Sequence, residues 1–484
     1  MGGIFGVFNL SSDNNPETDC VMDLYYGTDY HSHLGTRRGG LAVKNSGGFQ
    51  RYIKDITTAQ FRSKFESEIH NMHGNKGIGV ISDYDDQPLI ISSRLGVFAI
   101  VTVGRINNIE ELSKNLLKKG AHFSEMHGGE INPTELVATI ISQGESFKDG
   151  IKMVQESIDG SCTMLILTEE GIYAARDKLG RTPLIIGEKP SSYAITMETC
   201  AFPTLGYKIT KYLGPGEVFY ISNEGLEQLI PPGEKMQICS FLWVYFGYPA
   251  SNYENINVET VRYKCGCYLA KNDDIEIDLV AGIPDSGIAH GLGYANEAKV
   301  PFKRPFVKYT PTWARSFLPQ DQKEREEIAK MKLISIEDLI KDKRLLLCED
   351  SIVRGTQLQK TIKRLHKAGA KEVHMRPACP PLIYSCKFLN FSQSRTELEL
   401  AGRRAIEEVN GNDTNKAHDS NKENIEDLSE YTNPDSKKYK AMIEIIRKKL
   451  GLTSLKYQRL EDLVKAIGLP KDKICTYCWD GKEL

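Results

Sequence analysis

No stretch of this chain approaches the roughly 20 consecutive apolar residues that a membrane-spanning helix needs. The N-terminus lacks the charged start and apolar core of a secretory signal. Met1-Gly2 is followed by Gly6 where a myristoylation signal takes Ser or Thr. Charge of one sign is also lacking: 62 Lys and Arg stand against 64 Asp and Glu, a net charge of -2. No global field therefore draws the chain to nucleic acid or to an acidic membrane surface. We expect a cytoplasmic protein that binds neither. The 11 cysteines are then expected to be core thiols rather than disulfides. The closely spaced pair Cys475 and Cys478 needs a separate explanation.

What is present is an ordinary globular composition, 40% hydrophobic and 26% charged over 484 residues. That length suggests about three domains, or two larger ones. To about residue 220 the chain is dense in short β-like runs, at 77–80, 89–92, 97–103, 163–167 and 193–196. Apolar spacings of three and four predict helices over 108–118 and 133–142. This is an α+β pattern of antiparallel sheets with a few helices. From about residue 257 the rhythm changes to strand, glycine-containing loop, helix. The apolar run 275–283 ends at Pro284-Asp285-Ser286-Gly287, and the run 344–348 ends at Glu349-Asp350. A helix over 357–367 and a strand over 372–375 follow. Such alternation implies an α/β unit with a parallel sheet, whose ligands sit at the carboxyl ends of the strands. Segment 410–438 is almost devoid of large apolar residues and is expected to be exposed or disordered. An amphipathic helix is expected over 441–450.

The chemistry concentrates in Leu345-Leu346-Leu347-Cys348-Glu349-Asp350-Ser351-Ile352-Val353-Arg354-Gly355-Thr356. A buried strand delivers two adjacent carboxylates to a sheet edge, where Glu349 and Asp350 can accept from sugar hydroxyls and, with Ser286, face Mg2+ through hard oxygen ligands. Residues Ser351 to Thr356 lead into a helix, so their N–H groups and the helix dipole can hold a phosphate. Gly355 permits close approach, and Thr356 and Arg354 add donors. Asp285 and Ser286 suit a diphosphate or metal contact. Lys308, Arg315, Arg325 and Lys332 can neutralise a leaving diphosphate. The residues thus read as a type I phosphoribosyltransferase site for phosphoribosyl diphosphate. The CxxC pair is compatible with zinc or an iron–sulfur cluster, and spacing does not choose between them.

Several motifs together resemble the amidophosphoribosyltransferase family. They are Pro284-Asp285-Ser286-Gly287, Phe306-Val307-Lys308, Arg315-Ser316-Phe317 and the run from Glu349 to Thr356. In the first half, Gly3-Ile4-Phe5-Gly6-Val7, Ala175-Arg176-Asp177-Lys178-Leu179-Gly180-Arg181-Thr182-Pro183-Leu184 and Pro215-Gly216-Glu217 are similar to family stretches. The resemblance implies an N-terminal nucleophile-hydrolase-like domain, with stacked antiparallel sheets between helices, over 2–230. It implies a phosphoribosyltransferase domain with a cysteine-bearing tail over 231–484. It further implies a [4Fe–4S] cluster on Cys239, Cys386, Cys475 and Cys478, purine nucleotide effectors and a homo-oligomer.

The resemblance breaks at the glutaminase residues. The family's N-terminal cysteine nucleophile falls on Gly2, which has no side chain. The family's substrate-carboxylate Arg falls on Ser82, its oxyanion Asn on Val103 before Gly104, and its amine-binding Asp on Pro133. His-Arg-Gly becomes His33-Leu34-Gly35. The loop between Lys308 and Arg315 also differs, reading Tyr309-Thr310-Pro311-Thr312-Trp313. We therefore expect sugar-diphosphate and Mg2+ binding, displacement of diphosphate by ammonia or another small amine, and no glutamine hydrolysis. The second reading is an inactive chain that senses nucleotides or regulates a partner.

Overall fold

The apolar run after Gly3 forms a strand, Gly3–Asn9, buried on both faces. It lies at the centre of a seven-stranded sheet, antiparallel to Lys76–Ser82 on one side and Ser192–Thr196 on the other. A strand buried on both faces needs two covers. Helix Val21–Asp29 packs over one face, around Phe5, Val7, Leu24 and Tyr25. A second antiparallel sheet, of six strands, supplies the other. Helices Pro133–Ile141 and Phe147–Ser157 then close the outer face of the second sheet over Phe98, Ile100, Met164 and Ile166. This is the expected layering of antiparallel sheets between helices. Burying each such side chain contributes roughly 1.5–3 kcal/mol.

The computed structural model describes residues 2–10, 19–83, 85–127, 129–308, 333–389, 397–412 and 428–483. The chain divides into two units. One comprises Met1–Cys239, Tyr248–Asn255 and Lys387–Asn390; the other comprises Ser240–Gly247, Ile256–Cys386 and Phe391–Leu484. The boundary thus falls later than residue 230. The reason is backbone pairing: Gly233 donates to Pro215 O at 2.8 Å, Gln237 to Leu179 O at 2.7 Å and Cys239 to Arg181 O at 3.0 Å.

The second unit carries a parallel sheet of β1 (Leu279–Gly282), β2 (Arg344–Glu349), β3 (Glu372–Pro377) and β4 (Ser454–Leu455), in that spatial order. Helix α1 (Gly287–Ala298) follows β1, and α2 (Thr356–Lys367) follows β2. Helices α3 (Ala401–Asn412) and α4 (Lys437–Leu450) complete the core with Ala405, Ile406, Met442 and Ile446. Strands β1 and β2 are continuous apolar runs because a parallel sheet is covered on both faces.

The exposed segment expected over 410–438 is corrected at its end. Leu428 and Tyr431 are buried in this core. The Tyr431 hydroxyl donates to Asn410 Oδ1 at 2.7 Å, and Ser436 caps α4 by accepting from Tyr439 N at 2.9 Å. Two apolar side chains suffice to anchor a stretch whose average composition is polar. The middle of the segment, 413–427, lies outside the described residues. No described helix is long and apolar enough to cross a membrane.

Candidate active site

Parallel pairing sets the two special loops side by side. Gly282 of β1 is in register with Cys348 of β2, and Ile283 N–H donates to Cys348 O at 2.9 Å. The loop after β1 then turns at once into α1. Gly287 lies so close to β2 that a Cβ there would stand 2.4 Å from Cys348 O, so only glycine fits. The close approach brings Ser286 onto the acidic pair. Its hydroxyl donates to Asp350 Oδ1 at 2.5 Å and reaches Glu349 Oε1 at 3.5 Å. Ser351 donates to the other Asp350 oxygen at 2.6 Å. Both Asp350 oxygens therefore have a donor. Glu349 is different: burial, and then the neighbouring Asp350 carboxylate, push its pKa well above the ordinary value. A carboxyl left in that state is matched to a cation or to hydroxyl donors brought by a ligand.

The loop beyond β2 closes on Gly355, whose φ of +76° is a left-handed conformation that favours glycine. Thr356 then starts α2. The loop residues and the first turn of the helix line a cavity of about 870 Å³. Glu349, Ser351, Arg354, Gly355, Thr356 and Lys308 all line it. Lys308 Nζ also pairs with Asp285 Oδ2 at 2.6 Å, with both side chains largely exposed. Of the residues singled out from sequence, Ser286, Glu349, Asp350 and Ser351 are thus brought into direct contact. Lys308, Arg354, Gly355 and Thr356 share the cavity, and Asp285 is held by Lys308. Arg315, Arg325 and Lys332 lie outside the described residues.

Sequence reasoning missed a basic row on the same cavity: Lys360, Lys363, Arg364 and Lys367 of α2. Their spacing of three, four and seven from Lys360 was the available signal. It reads equally as a solvated helix face.

The four tail cysteines divide between the units. Cys239 is buried in the first. Cys386, Cys475 and Cys478 belong to the second, where Ile383 and Tyr384 N–H groups both bond Cys478 O at 3.0 and 3.1 Å. Ser240 Oγ donates to Cys475 O at 2.6 Å. Among the described residues no three His, Cys, Asp or Glu side chains gather so as to hold a metal ion. The donor chemistry, thiolate only, suits an iron–sulfur cluster or zinc.

In the first unit, the edge where a nucleophile is expected is closed. Gly2 is buried, and a Cβ there would stand 2.5 Å from Ile81 O. Val103 is buried and apolar, and Pro133 opens a helix whose cap is Asn132, accepting from Thr134 N at 2.9 Å. His33 Nε2 is 3.2 Å from Glu198 Oε1. Glu198 is fully buried. Burial opposes its charge, but His33, Ser251 and Tyr253 outweigh that and hold its pKa below the ordinary value. Tyr253 donates to Glu198 Oε1 at 2.5 Å, and Ser251 to its other oxygen.

Comparison with known proteins gives three consistent results. A family described as a glutamine amidotransferase domain matches residues 75–203. The chain is 32% identical to the chloroplastic amidophosphoribosyltransferase of Vigna aconitifolia, over 83% of this chain and 85% of that protein. It is 29% identical to the amidophosphoribosyltransferase of Methanocaldococcus jannaschii, over 100% of this chain and 97% of that one. Among solved structures, a glutamine phosphoribosylpyrophosphate amidotransferase from B. subtilis, complexed with ADP and GMP, superposes with a TM-score of 0.81 at 27% identity. That match covers 99% of this chain and 96% of that one.

Proposed function

The chain belongs to the amidophosphoribosyltransferase family, and we propose that it transfers the phosphoribosyl group of phosphoribosyl diphosphate to ammonia or another small amine, in purine nucleotide synthesis, without hydrolysing glutamine. One observation carries the reading: the strand-end carboxyl of Glu349, beside Asp350 and its Ser286 partner, and the loop ending in left-handed Gly355 and Thr356 belong to a single cavity wall, which Glu349, Gly355 and Thr356 line. Glu349 and Asp350 accept from the ribose 2′ and 3′ hydroxyls. The N–H groups of Ser351 to Thr356, with the Thr356 hydroxyl, hold the 5′-phosphate. Asp285, Ser286 and Lys308 meet the diphosphate; Arg315 is a further diphosphate-binding residue by the family resemblance, and lies outside the described residues.

Ser286, Glu349 and Asp350 are the oxygen donors that would hold Mg2+, which would supply charge neutralisation for the diphosphate when bound. The amine nitrogen attacks C1 as the C1–oxygen bond to diphosphate breaks. The nitrogen's excess proton leaves to solvent, and phosphoribosylamine forms when the amine is ammonia. The residues contribute chiefly positioning and charge stabilisation. The test is diphosphate release from phosphoribosyl diphosphate and Mg2+. Release is expected with ammonium and not with glutamine. Tight binding without release under any amine would make the chain a sensor and overturn the enzymatic reading.

A [4Fe–4S] cluster of structural role on Cys239, Cys386, Cys475 and Cys478 rests on the family resemblance of their sequence positions, since their side chains do not gather in the described residues. Protein purified without oxygen should be brown, with iron and sulfide in equal amounts. Colourless protein with one zinc would reject the cluster. Purine nucleotides are the effectors proposed for a cytoplasmic homo-oligomer, in keeping with the ADP and GMP bound to the B. subtilis relative.

A further inference from the structure

A loop that holds a phosphate by its N–H groups turns its carbonyls the other way, and those carbonyls need donors of their own. The loop before Gly355 obtains them from a segment some 50 residues later in the chain. Ala401 N–H, at the start of α3, donates to Val353 O at 2.8 Å. Arg404 Nη2 donates to Arg354 O at 2.5 Å. The guanidinium is aimed by its own segment: Arg404 Nη1 donates to Glu399 O at 3.3 Å and approaches Leu398 O at 3.5 Å. Leu400, Ala405 and Ile406 anchor that segment in the core. The Glu399 carboxylate also pairs with the Arg354 side chain. That ion pair is exposed and contributes little. The Arg404 bond to Arg354 O is exposed too, but together with the Ala401 bond it holds loop carbonyls, and so sets peptide planes that an ion pair between side chains does not set.

We infer that Arg404, with the first turn of α3, is a backbone clamp that orients the phosphate loop, so that Arg404 is a positioning residue for the substrate's 5′-phosphate. It reaches no substrate atom; it acts through the carbonyl of Arg354. The inference rests on the proposed reading of the loop as a 5′-phosphate site. It goes beyond that reading by assigning the loop's geometry to residues outside the cavity. Without the clamp, the peptide planes of Val353 and Arg354 are free to rotate, and the N–H array facing the phosphate loses its preset direction. The diphosphate end, built on Pro284 to Gly287, keeps its own support from the Gly287 close approach and the bonds to Ser286.

The experiment uses the full chain and calorimetric binding of three ligands: phosphoribosyl diphosphate with Mg2+, ribose 5-phosphate, and diphosphate with Mg2+. Arg404→Ala should weaken both 5′-phosphate ligands by about tenfold or more, the value of a lost charge-assisted hydrogen bond. Binding of diphosphate with Mg2+ should be unchanged. In turnover, KM for phosphoribosyl diphosphate should rise more than kcat falls. Arg404→Lys, which can still donate to a carbonyl, should recover part of the loss. If Arg404→Ala weakens all three ligands alike, or none, the clamp is refuted. Wild-type protein that binds neither 5′-phosphate ligand would overturn the proposed function itself, and the clamp with it.

Discussion

Supplied with glutamine, the purified chain should release no glutamate above a heat-denatured control, and Gly2→Cys should not create the activity. The reasoning starts from chemistry. An N-terminal nucleophile hydrolase needs a side-chain thiol or hydroxyl beside a free α-amino group, and Gly2 has no side chain. Supplying one meets a geometric obstacle. Gly3 is in register with Ile81 across the antiparallel pair, so residue 2 sits against the neighbouring strand, with Ile81 O 2.5 Å from any Cβ. Relief requires moving backbone in the centre of a seven-stranded sheet. The rest of the site gives no compensation. Val103 offers no oxyanion donor, and losing one such donor alone costs about two to three orders of magnitude. Ser82 is too short to supply a guanidinium, and Pro133 has no carboxylate. The Gly2→Cys chain should therefore unfold at a lower temperature than wild type and still be inactive towards glutamine. Glutamate release by the wild-type chain would refute this directly.

The candidate-site run was legible because its parts are neighbours in sequence. Four apolar residues, two acids and a Gly-Thr before a helix need no knowledge of the fold to be read as strand, carboxylates and phosphate loop. What could not be read were contacts between distant residues. Nothing in the sequence says that Ser286, rather than another hydroxyl, would donate to Asp350. Nor does it say that Arg404 would hold the carbonyl of Arg354. Both follow from which strand lies beside which and from how the loops then turn. The failure at 410–438 has another cause. Composition averages over a segment, while anchoring depends on single side chains, here Leu428 and Tyr431. At Gly2 the absence of a side chain was visible at once. The obstacle to restoring it appears only with the register of Gly3 on Ile81.

Glu349→Gln should abolish most of the transferase activity while stabilising the ligand-free protein at neutral and alkaline pH. The activity loss follows from what the carboxylate does. Charge-assisted hydrogen bonds are worth about 1.5–3 kcal/mol each. Losing the charge towards both a ribose hydroxyl and Mg2+ should slow diphosphate release by about two orders of magnitude or more. The stability gain follows from protonation. Burial and the adjacent Asp350 raise the folded-state pKa of Glu349 well above its unfolded value, which is about 4.3. The folded state then binds the proton more tightly than the unfolded state. That contribution is fully present below the unfolded pKa and is lost as pH rises through the folded one. At higher pH, wild-type protein must fold around an unwelcome charge, whereas glutamine carries none. Melting temperatures of wild type and Glu349→Gln, both free of ligand, should therefore diverge in favour of the variant as pH rises above the unfolded carboxylate pKa, and converge below it. Mg2+ with phosphoribosyl diphosphate should reverse the order, because only wild type can use its charge to bind them. A variant less stable than wild type at pH 8, by a margin that does not change with pH, would show that Glu349 is held for packing alone. The expected order, variant more stable free and wild type more stable with ligand, would instead mark a carboxyl kept at a cost to the free fold because the ligand removes that cost on binding.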